Sequence, residues 1–380
     1  MTLFVITFFS IYGGMHLYAF LRARAALGFG PVIGTAVALF MVAMTVVPFL
    51  IRGLERAEYE LSARVLSYVG YIWLAAIFLF FIFSLAFDLY NLILRGTSLF
   101  AGDQLARFLI APHLSFLICT GLSLFICLYG YFEAQNIRTE RLTLITDKLP
   151  AGIDRLTIAQ ITDVHLGLII RCDRLVSILE VVNAAKPDIL VATGDIVDAQ
   201  INHLPGLREL LQDIKPRYGK YAITGNHEYY AGLEKALEFI THAGFTMLRG
   251  ESRDLGVIQI AGVDDRTALQ VHAQRPVSDS EALKRTDRKK NFVLFLKHQP
   301  HPDPDAIGLF DLMLSGHTHK GQIWPFRYIA GRVHPFLAGK YDAGKGSIVY
   351  TSRGTGTWGP PIRFLSPPEV TVIELVRNRS

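Results

Sequence analysis

The chain has 380 residues, 51% of them apolar, a formal net charge of +5 and a mean hydropathy of +0.32. That length leaves room for two or three domains. The hydropathy is too high for an ordinary soluble chain of this size, and the charge is too mild for a nucleic-acid-binding protein.

The apolar excess sits in the first third. Four runs are nearly free of charge: Leu3 to Phe20, Pro31 to Ile51, Leu66 to Leu94 (carrying only Asp88), and Phe108 to Phe132. Each can cross a hydrocarbon core of roughly 30 Å at about 1.5 Å per residue. Apolar helices of this length without a polar face are expected in lipid. A cleaved signal peptide fits the first run poorly, because no basic segment precedes it. We therefore expect residues 1–135 to form a four-span membrane region. Asp88, near the end of its run, is expected at the headgroup level.

With four spans the two termini share one side. Arg52, Arg56, Arg64, Arg138, Arg141 and Lys148 flank that side, against Arg22, Arg24, Arg95 and Arg107 on the other. The positive-inside rule then puts the C-terminal part in the cytoplasm. Cys119 and Cys127 lie in the fourth run and Cys172 stands alone, so no disulfide framework is implied.

From about Asn136 the pattern changes. NIRTERLTLITDKLP alternates like a first strand, followed by LTIAQIT, helix DRLVSILEVVNAAK, DILVAT, helix PGLRELLQDIK, KYAIT, helix AGLEKALEFITHAG. That rhythm predicts an α/β domain over residues 136–380. After Phe245 the pattern becomes mostly strands: TMLRG, GVIQIAGV, NFVLFLKH, DLMLSGH, SIVYTS and VTVIEL. The basic run KRTDRKK (284–290) is expected on a solvated helix face.

Metal-binding residue types end five of these segments in turn. They are Asp163-Val-His165, Gly194-Asp195, Gly225-Asn226-His227-Glu228, His298, and Gly316-His317-Thr318-His319. Alone, each is a weak signal: Gly-Asp marks ordinary turns, and a strand-end histidine is commonly structural. Strands ending this way can aim their side chains into one crevice beyond their carboxyl ends. Three oxygen donors and four imidazoles are enough for two divalent cations, which points to a metal-dependent phosphoester hydrolase. Asp163 with His165, and His317 with His319, would project the same way if their segments were extended.

In this order the five clusters resemble the calcineurin-like metallophosphoesterase superfamily over roughly residues 140–380. With the apolar runs, GNHEYY, GHTHKGQI and SRGTGTWGPP, the chain is similar to the bacterial transmembrane proteins with a metallophosphoesterase domain. The resemblance implies a four-layer αββα sandwich. It implies one metal on Asp163, His165, Asp195 and His319, and a second on Asp195, Asn226, His298 and His317, with Asp195 bridging. Mn, Fe, Zn, Ni or Co would suit these donors. It further implies that His227 is a non-ligand catalyst oriented by Asp198, beside a hydroxide attacking in line. One departure matters: protein Ser/Thr phosphatases carry Arg-Gly where this chain has Ala199-Gln200, so phosphodiesters or pyrophosphates are the expected substrates.

Leu166, Leu168, Ile169 and Ile170 follow the first metal cluster. Trp324, Phe326, Tyr328, Phe336 and Trp358, with Arg327 and Arg332, follow the last. Aromatic and basic residues together suit a membrane–water interface, so the rim is expected either to face the bilayer and accept a phospholipid or nucleotide-lipid, or to pack beneath the sheet. The alternative to an enzyme is a non-catalytic membrane sensor whose metallodomain binds a ligand.

Overall fold

A computed structural model describes residues 2–101, 103–198, 206–272 and 275–378. The chain divides into two units, Met1–Tyr131 with Gly359–Ile362, and Phe132–Trp358 with Arg363–Ser380.

The first unit is built on long helices: α1 (Thr2–Leu27), α2 (Pro31–Arg56), α3 (Glu60–Ala101) and α4 (Pro112–Gln135), which runs on past its end. The sequence predicts four crossings. Among the described residues, three segments are long and apolar enough to cross a membrane: Pro31–Arg56, Glu60–Phe100 and Gln104–Gln135. α1 is not among those three. Side chains such as Leu39, Val42, Leu92 and Leu128 are exposed, an arrangement that lipid accommodates and water does not. Gly70 lets α3 approach α2 closely, because a Cβ there would lie 2.3 Å from Val47. Asp88 is ion-paired rather than merely interfacial: Arg22 Nη1 lies 2.7 Å from its carboxylate and the Tyr18 hydroxyl also donates to it.

The second unit contains two six-stranded mixed sheets. The first has the order β1 (Arg138–Thr146), β12 (Glu369–Arg377), β2 (Arg155–Ile161), β3 (Ile189–Thr193), β4 (Lys220–Ile223), β5 (Thr246–Met247). The second runs β10 (Gly339–Gly344), β11 (Ser347–Thr351), β9 (Leu312–Ser315), β8 (Val293–Leu296), β7 (Gln259–Gly262), β6 (Glu251–Asp254). Alternation sorts the side chains. Ile158, Ile189, Val191, Leu294, Leu296, Leu312 and Leu314 meet in a core shared by both sheets. Their neighbours Ala159, Leu190 and Ala192 turn to an outer core with α5 (Cys172–Ala184), α6 (Leu207–Gln212) and α8 (Leu233–His242). Val293, Phe295 and Met313 face a third core on the other outer side. Strands buried on both faces read as unbroken apolar runs, as these do. The short helices α7 (Asn226–Ala231), α9 (Thr267–His272), α10 (Asp279–Leu283) and α11 (Arg327–Val333) lie in connections.

Residues 284–290 correct the helix expectation: they form turns. Arg288 is taken up structurally, donating to Asp311 at 2.8 Å and to the carbonyls of Gly308, Lys345 and Gly346. Ala199 and Gln200 lie outside the described residues.

Candidate metal centre

Five strands deliver the candidate residues from their carboxyl ends. β2, β3 and β4 are adjacent and parallel in one sheet, and β8 and β9 are adjacent and parallel in the other. Asp163 and His165 follow β2, Asp195 follows β3, Asn226 and His227 open α7 after β4, His298 follows β8, and His317 and His319 follow β9.

The local geometry differs from the expected extended pairs. Asp163, His165, Asp195, His317 and His319 all have left-handed backbone, with φ between 47° and 69°. Such a conformation is uncommon outside glycine and carries strain that the surroundings must hold. Each residue turns its chain sharply, so paired ligands converge by curling rather than by strand alternation. The loops are stitched together: Asp163 N–H donates to Gly194 O at 3.1 Å, His165 N–H to Asp195 O at 3.0 Å, and Gly316 N–H to His298 O at 3.0 Å. Two glycines leave room for this. A Cβ on Gly225 would lie 2.2 Å from Asp195 Oδ1, and one on Gly316 would lie 2.2 Å from Asp163 Oδ2.

All seven residues expected as metal ligands come together. His165 Nε2 faces His319 Nε2 at 3.2 Å, and His319 Nε2 lies 3.4 Å from Asp163 Oδ1. His298 Nε2 lies 3.2 Å from each of Asp195 Oδ2, Asn226 Oδ1 and His317 Nδ1. One N–H cannot satisfy three converging acceptors, whereas a cation can. Donor atoms of Asp163, His165 and His319 form one group that could hold a metal, and those of Asp195, His298 and His317 form another. The imidazole-and-carboxylate chemistry fits borderline divalent transition ions. His165, Asp195 and His227 also lie close enough to form a group, but His227 has other engagements.

The electrostatics suit such a centre. Burial, then the nearby His227, pushes His165 down to about 3; burial and His298 push His317 down to about 3. Both rings are therefore neutral, the state that ligates. Burial opposes the charges on Asp163 and Asp195, yet the facing histidines outweigh it and hold both carboxyls below their usual range.

His227 makes different contacts. Its Nδ1 is 2.9 Å from Asp198 Oδ1, and its backbone N–H donates to Asp195 Oδ1 at 2.8 Å. Burial disfavours charge on this ring, but Asp195 and Asp198 prevail and push it up to about 9, making it a donor. Tyr230 and Trp358 stand edge-on to it at 5.3 and 6.0 Å.

Two residues with no role assigned from the sequence support the centre. Glu228 is fully buried and accepts backbone N–H bonds from Gly225 (2.6 Å), Ile196 (2.8 Å), Asp195 (3.0 Å) and Val197 (3.3 Å). Burial and Asp195 push its pKa up to about 7, while those donors favour the carboxylate. Its place in GNHE was the available signal. Arg363, also fully buried, donates to the carbonyls of Gly356, Arg353 and His319, fixing the loop that carries His319. No local pattern marks it.

Glu228→Gln should lower stability by about 2–3 kcal/mol, because an amide turns an N–H₂ toward backbone donors. Thermal unfolding of the detergent-solubilised chain checks this; an unchanged midpoint would mean that the Asp195 loop is held by other bonds.

Of the rim residues, Leu166 and Ile170 belong to an outer core and Phe336 packs on another, so these three do not face a ligand. Phe326, Tyr328 and Trp358 are exposed.

The family described as "Calcineurin-like phosphoesterase" matches residues 156–321, a span that contains every candidate ligand together with Asp198 and His227. The chain is 40% identical over 249 residues to an uncharacterized metallophosphoesterase of Aquifex aeolicus, covering 65% of this chain and 95% of that one. It is 32% identical over 262 residues to a Danio rerio protein called "Transmembrane protein with metallophosphoesterase domain", covering 66% of this chain and 60% of the relative. A remote likeness to the crystal structure of a dimetal phosphatase from Danio rerio has 15% identity and a TM-score of 0.36, over 59% of this chain and 93% of that chain.

Proposed function

We propose that this chain, which belongs to the calcineurin-like metallophosphoesterase family, hydrolyses a phosphodiester or pyrophosphate at a dinuclear centre shared through Asp195. In this reading, residues 1–135 anchor the chain in the cell membrane by four crossings, and residues 136–380 form the catalytic domain on the cytoplasmic side. The observation that carries the reading is the convergence of Asp195, Asn226 and His317 on His298, next to the cluster of Asp163, His165 and His319.

Asp163, His165, Asp195 and His319 would hold one cation, and Asp195, Asn226, His298 and His317 the other. Two such ions would withdraw charge from a phosphoryl oxygen and lower the pKa of water, supplying a nucleophile at neutral pH. Asp198 fixes His227 through Nδ1, leaving Nε2 free to donate a proton to the leaving oxygen or to stabilise the charge that builds on the phosphoryl group. The neutral amide of Asn226 limits negative charge where an anion must approach. The exposed rings of Tyr230 and Trp358 beside His227 favour a leaving group with apolar surface, as in a phospholipid or nucleotide-lipid. The intact His227–Asp198 pair favours an enzyme over a ligand-binding sensor, which needs no proton donor.

The test is hydrolysis of bis-p-nitrophenyl phosphate and p-nitrophenyl phosphate by metal-stripped protein, with Mn, Fe, Zn, Ni or Co added back singly. Chelation should remove activity and one or more of these ions should restore it. Two bound ions per chain with neither ester cleaved would shift the reading to the sensor.

A further inference from the structure

Helix α11 presents an apolar face to solvent. Phe326 (45% exposed), Tyr328 (63%), Ile329 (56%) and Val333 (62%) lie on it or at its start, while Ala330 faces inward. Two more exposed rings, Tyr230 on α7 and Trp358, stand beside His227 of the same site. An exposed apolar face of this kind marks an interaction surface.

α11 is also fastened to the metal centre at both ends. At its start, a Cβ on Gly321 would lie 2.5 Å from Arg327 N and Cα, so the helix abuts the turn that contains His319. Just beyond its end, Thr318 Oγ1 donates to Leu337 O at 2.6 Å, and the His334 ring lies 5.2 Å from that of His317. Whatever covers this face is therefore held beside the site.

Charge and context indicate the occupant. From Lys320 to Tyr341 the chain has Lys320, Arg327, Arg332 and Lys340 and no acidic residue. Aromatic and aliphatic side chains bordered by arginines match the headgroup layer of an anionic bilayer. Among the described residues, three helices are long and apolar enough to cross a membrane, so a bilayer is an apolar phase within reach.

We propose that the exposed face of α11 inserts into the headgroup region of an anionic lipid bilayer, setting the opening of the metal centre at the lipid surface. The proposal deepens the reading of a membrane-anchored hydrolase by naming the surface from which that site takes its substrate.

The test uses the full chain in vesicles of phosphatidylcholine and phosphatidylglycerol, on a Cys172→Ser background. Spin labels go at Ile329→Cys, at Val333→Cys, and at Glu238→Cys as an exposed reference on α8. Labels at 329 and 333 should be more accessible to oxygen than to a water-soluble nickel chelate, with the reverse at 238. Replacing Arg327 and Arg332 with glutamate should shift the 329 and 333 labels toward the aqueous pattern. Chelate-dominated collisions at 329 and 333 in the parent would overturn the proposal. So would spin–spin broadening between chains without oxygen preference, the mark of a copy-to-copy interface. The labels report lipid contact whether or not the domain hydrolyses an ester. Hydrolysis of soluble bis-p-nitrophenyl phosphate by Ile329→Ser/Val333→Ser, which should equal the parent rate, tests the catalytic reading separately.

Discussion

Asp195→Asn should lower kcat/KM by about 10³-fold or more and remove at least one of two bound cations. Asp195 is the residue that meets both halves of the centre: Oδ2 lies 3.2 Å from His298 Nε2 and 3.9 Å from His165 Nε2, while Oδ1 accepts the His227 amide. Losing its charge leaves Asp163 as the single carboxylate among four imidazoles. The fold should survive, because asparagine is nearly isosteric and tolerates the left-handed backbone found at residue 195. Elemental analysis of purified protein with parallel kinetics checks the point. Two tightly held ions with near-parental turnover would remove Asp195 from the bridging role.

His227→Ala should behave differently, with cation content unchanged and kcat reduced by about 10²–10⁴-fold. On the proposed reading the ring donates rather than ligates: Asp198 lies 2.9 Å from Nδ1, and Asp195 and Asp198 favour the protonated form. The leaving group separates its two possible tasks. If His227 protonates the departing oxygen, the deficit should be larger for an alkyl ester than for a p-nitrophenyl ester, whose leaving group needs no proton. If it only stabilises phosphoryl charge, the two deficits should match. Asp198→Asn should lose less than His227→Ala in either case, because it weakens the ring's orientation without removing the ring. A His227→Ala protein that keeps full turnover on both esters would end the assignment.

Much of this centre could be read along the chain, for a physical reason. A strand buried on both faces must be an apolar run, so LTIAQIT, DILVAT, FVLFLK and DLMLS identified themselves, and the polar residues at their carboxyl ends marked where a crevice could form. The apolar helices were equally legible, because lipid requires long runs without charge. The ring-bearing segments were harder. Leu166 and Ile170 could be read as rim or as packing beneath the sheet, and they proved to be core, since which side of a loop faces inward depends on what packs above it. KRTDRKK looked helical, yet its Arg288 is held by Asp311 and by carbonyls far along the chain.

By itself the sequence determined the kinds of donor, their order, and the strands that carry them. Tertiary structure alone decided how the donors meet. The left-handed turns at Asp163, His165, Asp195, His317 and His319 persist only because backbone bonds between separate loops hold them. The carboxylate of Glu228 gathers the amides of the Asp195 loop, and Arg363 reaches the His319 carbonyl across 44 positions. Periodicity records what a segment buries locally; it carries no record of which distant group fills a backbone bond or fixes a ligand's loop, because only the packed chain brings those groups into reach.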